Sequence, residues 1–315
     1  MTGSRVVALG HYQPERVLTN DELATMVETN DEWIQSRVGI RERRIAAPDE
    51  SVDEMAWRAA DKAIANAGLD VTEIDYVVVA TCTAIDRSPN VAARVAARLG
   101  LGNPAAIDLN TACSGFAYAL ATADQAIRAG AASKAIVIGV EKLSDWTDWT
   151  DRTTCVLIGD GAGAAVLVAD ETEDAAGVGP VVWGSVPEMS DAVRIEGREG
   201  PFQQEGLSVF RWATTQLPEI ARQVCAKAGL EPEELGGVVL HQANLRIIEP
   251  LAKRLGAVNA VVARDVVESG NTSAASIPIA LSKLVEKREI PSGAPVLLFG
   301  FGGGLSYAGQ VIRCP

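Results

Sequence analysis

Two patterns of apolar residues alternate along the chain. "YVVVA" (76–80), "AAIDL" (105–109) and "KAIVIGV" (134–140) are short, unbroken apolar runs, as in strands buried on both faces. Ser51–Ala67, Asn90–Leu99 and "FAYALATADQAIRAG" (116–130) instead carry apolar residues at helical spacing, the last stopping at Gly130. The alternation resumes downstream, with Arg211–Ala228 and Leu245–Leu255 as helices and "GVVLH" (237–241) and "APVLLFG" (294–300) as strands. Strands alternating with helices predict an α/β protein with parallel-rich sheets covered on both faces.

The two stretches are related. "NAGLDVTEIDYVVVAT" (66–81) resembles "KAGLEPEELGGVVLHQ" (227–242), and "NTACSGFAYAL" (110–120) resembles "NTSAASIPIAL" (271–281), both at a shift of 161 residues. A duplicated βα unit accounts for 315 residues better than two unrelated domains. The acidic, glycine-bearing "ADETEDAAGVGP" (169–180) marks the join, giving halves 1–172 and 173–315. The copies differ where chemistry would sit: Cys113 is matched by Ala274, and Ala80 by His241.

Composition narrows the setting. No stretch approaches the roughly 20 apolar residues of a membrane span, and the apolar run in "MTGSRVVALG" is too short for a signal peptide. Five cysteines without CxxC spacing argue against a disulfide framework or a zinc site and for the reducing cytoplasm. A net charge of −13 weighs against nucleic acid as a partner.

Cys113 lies between the strand "AAIDL" and the following helix, a turn where backbone N–H groups and the helix dipole favour a thiolate. A buried structural cysteine fits that position equally well. His241 ends the strand "GVVLH", where parallel sheets bind ligands, although a satisfied core histidine also fits. His11, in "GHYQPERVLTN", is expected on a surface loop bounded by Pro14. Asn271 sits among small residues in "ESGNTSAASIP" and by itself reads as a turn residue. Gly302–Gly304 lack side chains, which lets backbone N–H groups face a substrate oxygen. "GDGAGAAVLVAD" (159–170), also glycine-rich, leads into a strand and reads as tight packing. No phosphate-loop pattern and no acidic metal cluster is present.

Taken together, "NTACSGF", "HQAN", "GNTSAASIP" and "FGGG" resemble β-ketoacyl-acyl carrier protein synthase III, a thiolase-fold family. The likeness extends through "TNDEWIQSRVGIRERR", "DRTTCVLIGDGAGAAVL" and "LSYAGQVIR", nearly the whole chain. It implies two similar halves in a layered α-β-α-β-α architecture and a homodimer. It also implies a cytoplasmic, multifunctional acyltransferase of fatty-acid or polyketide initiation, with acyl-CoA and malonyl-acyl carrier protein as substrates and no cofactor or metal. Cys113 would take the acyl group, with an oxyanion hole at the backbone of Cys113 and Gly304. His241 and Asn271 would donate to the enolate left when malonyl loses CO2. Trp33 and Arg152 would stack on the CoA adenine while Arg37 reaches its phosphates.

Carrier proteins are acidic, so docking on a chain of charge −13 needs a local basic patch. The resemblance places it at Arg211, Arg246, Lys253 and Arg254. At Ser88, where many members carry a phenylalanine supplied by the partner subunit to close the acyl pocket, the chain departs from the family. The lost ring leaves room for a longer or branched primer, at about 0.8 kcal/mol per buried CH2. An alternative is a thiolase-fold priming acyltransferase or ester-forming enzyme of secondary metabolism with the same Cys-His-Asn set. A non-catalytic partner subunit of the same fold is a further alternative, though such subunits usually lack the nucleophile.

Overall fold

The computed structural model describes residues 3–170, 177–197 and 200–315. Residues 171–176, inside the expected join, lie outside the described ones. The strands of the first part are β1 (Gly3–Tyr12), β2 (Val17–Thr19), β3 (Glu42–Arg44), β4 (Tyr76–Ala80), β5 (Ala105–Leu109), β6 (Lys134–Lys142) and β7 (Asp160–Asp170). Then come β8 (Val182–Ser185), β9 (Val193–Ile195), β10 (Phe202–Gln204), β11 (Gly237–Leu240), β12 (Val261–Val262), β13 (Pro295–Gly302) and β14 (Ser306–Arg313).

Ten of these form two sheets of five, ordered β1-β7-β6-β4-β5 and β12-β11-β13-β14-β8. Neither is parallel-rich. The pairs β6–β4 and β4–β5 are parallel, while β7 runs antiparallel to both β1 and β6. The second sheet repeats this, with β11 parallel to β12 and β13, and β14 antiparallel to β13 and β8. The departure from the sequence expectation lies in the connections. β13 and β14 are joined by the short turn Gly303–Leu305, which permits a hairpin but not the crossover that a parallel pair requires.

Helices Gly115–Arg128 and Ser276–Glu286 lie between the sheets and touch both. Outside the first sheet pack Val52–Ala67 and Val91–Leu99; Leu217–Lys227 covers the outside of the second. This is a five-layered thiolase fold. Burial on both faces explains the unbroken apolar runs: in β4, Val78 and Ala80 face the central layer while Val77 and Val79 face the outer helices. Close approach explains the glycines of β7. A Cβ on Gly163 would stand 2.6 Å from the Ile279 backbone nitrogen, so Ser276–Glu286 is seated directly on the strand.

Two local expectations change. The segment 211–228 is two helices, Gly206–Thr215 and Leu217–Lys227, rather than one. Pro218 is tolerated in the first turn of the second helix, whereas inside a continuous helix it would clash with the carbonyl of Thr214. His11 belongs to β1, not to a surface loop. Its Nδ1 lies 2.8 Å from Ser282 Oγ, and burial with the nearby Lys62 ammonium pushes its pKa down to about 4.

The duplication is visible in the backbone. Ala112 and Ser273, 161 positions apart, adopt left-handed φ values of 46° and 45°. Each opens a short 3-10 turn, Ala112–Ser114 or Ser273–Ala275, that feeds one of the two central helices. These turns touch one another and carry the site.

Candidate active site

Cys113 is held from below by β13. A Cβ on Gly302 would stand 2.8 Å from the Cys113 sulfur, one on Gly300 2.8 Å from Ser114 Cα, and one on Gly303 2.8 Å from Ala112 Cβ. The glycine run therefore lets a strand of the second half lie against the cysteine turn of the first. Gly304 differs: its φ is 70° and the space where a Cβ would project is open.

Burial decides the charge of the sulfur. The helix-dipole argument favours a thiolate, but Cys113 is only 6% exposed and its thiol is pushed up to about 11. Desolvation is the main cause; the Ser273 hydroxyl and the Gly303 backbone pull the other way, and the Glu141 carboxylate adds to the rise. The resting nucleophile is a protonated thiol.

His241 is buried as well and is pushed down to about 3, so it is neutral. Its Nδ1 lies 2.8 Å from Ser276 Oγ, and the Gln242 backbone N–H donates to that same oxygen at 3.3 Å. The Ser276 hydroxyl can donate to Nδ1 or accept from it; when it donates, the imidazole hydrogen is on Nε2. Phe301 packs edge-on against the ring, with centroids 5.4 Å apart. Asn271 Oδ1 accepts from the Ser273 backbone N–H at 2.9 Å, so its Nδ2 is left as a donor.

Cys113, His241 and Asn271 line a cavity of about 470 Å³ together with Arg37, Phe210, Arg246 and Phe301. A second cavity of about 420 Å³ shares Cys113 and Asn271 and adds Cys82, Trp146, Ile195, Gly303 and Gly304. Val193 and Phe202, from the β9–β10 hairpin, border both. The hairpin falls in the segment 184–206, where the family likeness is weak and which is expected from the sequence, with Arg87, as a candidate to fill the space left at Ser88; its strands carry no motif. Residues 198 and 199 of its turn lie outside the described ones. Sequence reasoning missed Ser276 and Phe301, since their roles depend on contacts with distant residues.

The remaining candidates are spread more widely. Arg152 lies over the Trp33 ring, 4.9 Å from its centroid, and Arg37 stands at the cavity mouth. Arg211 is exposed on Gly206–Thr215, and the Arg246 guanidinium lies over Phe210 at 5.8 Å. Lys253 is exposed two turns beyond Arg246. Arg254 is exposed beside Lys253, and its guanidinium also donates to the Thr214 carbonyl at the end of Gly206–Thr215, tying two helices together. Ser88 is exposed and lines neither cavity of its own chain.

A two-sheet thiolase fold with a cysteine, a neutral histidine and an asparagine at its centre defines a condensing enzyme. Models of 3-oxoacyl-[acyl-carrier-protein] synthase III match residues 107–187 and, for its C-terminal part, 225–314. β-Ketoacyl-[acyl-carrier-protein] synthase III 4 of Streptomyces coelicolor is 70% identical over 313 residues, 99% of either chain. Among solved structures, the priming β-ketosynthase from the R1128 polyketide biosynthetic pathway superposes with a TM-score of 0.96 at 40% identity, covering 100% of this chain and 97% of that one. The Aquifex aeolicus 3-oxoacyl-[acyl-carrier-protein] synthase III gives 0.93 at 40% identity, with 99% and 100% covered. The chain belongs to the β-ketoacyl-acyl carrier protein synthase III family.

Proposed function

We propose that this enzyme joins an acyl-CoA primer to malonyl-acyl carrier protein through an acyl group held on Cys113, with loss of CO2. The observation that carries the reading is one cavity lined by Cys113, by His241, whose Nδ1 is taken up by Ser276, and by Asn271, whose Oδ1 is taken up by the Ser273 N–H. In the first step the sulfur attacks the thioester carbon and the thiol proton ends on the departing CoA sulfur, so no net charge is left in the cavity. Backbone N–H groups of Cys113 and Gly304 bind the oxyanion.

In the second step the malonyl thioester loses CO2, and its enolate oxygen accepts from His241 and Asn271. Decarboxylation itself supplies the carbanion, so a histidine too desolvated to take up a proton suits the role. Attack on the acyl carbon then expels Cys113 as a thiolate, which takes up one proton from water to return as the thiol.

Trp33, Arg152 and Arg37 hold the CoA nucleotide, and Arg211, Arg246, Lys253 and Arg254 receive the carrier protein. The enzyme works as a cytoplasmic homodimer in which the partner's loop around Ser88 closes the primer cavity. Its serine admits isobutyryl or longer primers, within the limit set by Val193, Ile195 and Phe202.

The test is release of CO2 from malonyl-carrier protein with concurrent 3-ketoacyl product, for acetyl-, isobutyryl- and hexanoyl-CoA. Acyl transfer without CO2 would instead mark a priming acyltransferase, and a strong acetyl preference would overturn the role given to Ser88.

A further inference from the structure

Cys113 has a second thiol beside it. Cys82, just beyond β4, lines the same cavity of about 420 Å³. Its sulfur donates to Glu141 Oε1 at 3.3 Å and lies 3.9 Å from Ser273 Oγ. Ser273 lines that cavity as well, so the side chain next to the Cys82 sulfur opens onto the space that Cys113 shares. Cys155, Cys225 and Cys314 line neither cavity. Glu141 is fully buried and also accepts from the Cys82 N–H at 3.1 Å and from Thr83 Oγ1 at 2.7 Å. Nothing in the acyl-transfer cycle uses Cys82 or Glu141.

We propose that Cys82 is a resolving thiol for Cys113, so that oxidation of the nucleophile by a peroxide ends in a Cys82–Cys113 disulfide. The inference rests on the reading of Cys113 as the reactive sulfur. Hydrogen peroxide transfers one oxygen to Cys113, giving a sulfenic acid and a water. The Cys82 sulfur attacks that sulfur while its proton passes to the Glu141 carboxylate within hydrogen-bond reach. The S–O bond breaks, and the departing hydroxide takes up that proton as a second water. Two thiols are oxidised by two electrons and one peroxide is reduced to two waters. For the sulfurs to close to bonding distance, about 2.05 Å, the Cys82 side chain leaves its contact with Ser273 Oγ. The disulfide blocks acylation, shields Cys113 from irreversible oxidation and is reversed by a dithiol.

Peptide mapping of the full chain after hydrogen peroxide, with remaining thiols alkylated, tests this directly. The expected result is a linked pair of Cys82 and Cys113 peptides, about 2 Da lighter than the sum of the reduced peptides, with roughly tenfold or greater loss of condensation that dithiothreitol restores. In Cys82→Ser the same treatment is expected to carry Cys113 to sulfinic acid, which dithiothreitol does not reverse. Sulfinic acid on Cys113 of the native chain, with Cys82 recovered as an alkylated thiol, would overturn the proposal. The mapping reads sulfur alone, so a failure of Cys113 to take acyl groups from any CoA ester is a separate result that falls on the proposed function.

Discussion

At the residue scale, the site works by burial and by hydrogen bonds that fix which hydrogens are available. On the proposed function, His241→Ala and Asn271→Ala would each remove a donor to the enolate and spare the first attack. Each is expected to lower malonyl decarboxylation by about a hundredfold or more while acyl-Cys113 still forms. Mass spectrometry of the acyl-enzyme checks this, and variants unable to acylate would show that the roles are not divided in this way. The thiol pKa of about 11 predicts the response of Cys113 to iodoacetamide. Desolvation raises the value, so only about a thousandth of the sulfur is thiolate at pH 8, and alkylation climbs tenfold per pH unit until it levels near pH 11. Levelling below pH 8 would mean that the helix dipole prevails over burial. Cys113 and His241 are legible in the sequence because residue type, turn position and the repeat single them out, whereas Asn271, matched by Asn110 in the repeat, is picked out only by the family resemblance. The charge of the sulfur is not legible there, because burial and Glu141 reach it through chain segments far away in sequence.

Individual elements show how little slack the scaffold has. Gly163 seats Ser276–Glu286, and through Ser276 that helix holds the His241 ring. Gly163→Ala is expected to destabilise the protein by about 2–3 kcal/mol through overpacking against backbone atoms. Gly102→Ala, where a Cβ meets open space, should change stability by a few tenths at most. Thermal unfolding of the pair settles it, and equal melting temperatures would show that the helix yields freely. Most strand and helix positions followed from periodicity, since apolar spacing is a local signal. Strand direction did not, because it depends on how each connection returns. Nor did the break at Gln216, since a proline two residues on suits either a helix start or a kink.

Across the whole molecule, a charge of −13 repels an acidic carrier protein except where local basic residues reverse the field. Arg246 borders the substrate cavity, so reversing it disturbs both substrates. Lys253 lies two turns away on the same helix and outside that cavity, which makes Lys253→Glu the cleaner probe. It should raise the KM for malonyl-carrier protein about threefold at low salt, less at high salt, and leave acyl-CoA kinetics alone. An unchanged KM for the carrier would remove Lys253 from the docking face. The repeat made the division into similar halves legible, yet it gave no sign that the halves would share one set of reacting groups. That arrangement depends on β13 sliding under Cys113, a contact between residues almost 200 positions apart.

The β9–β10 hairpin forms a party wall. Val193 and Phe202 border both cavities, which the proposed function makes the store for one substrate and the way in for the next. A bulky acyl chain parked on Cys113 pushes on the same two side chains that the incoming malonyl arm must pass. On the proposed function, chain length would therefore be screened twice, once at loading and again at condensation. A primer that fits the first check and fails the second leaves a loaded but stalled enzyme. Widening the wall relaxes both checks together, so a broader primer range and faster turnover of awkward primers arise from a single change in this hairpin.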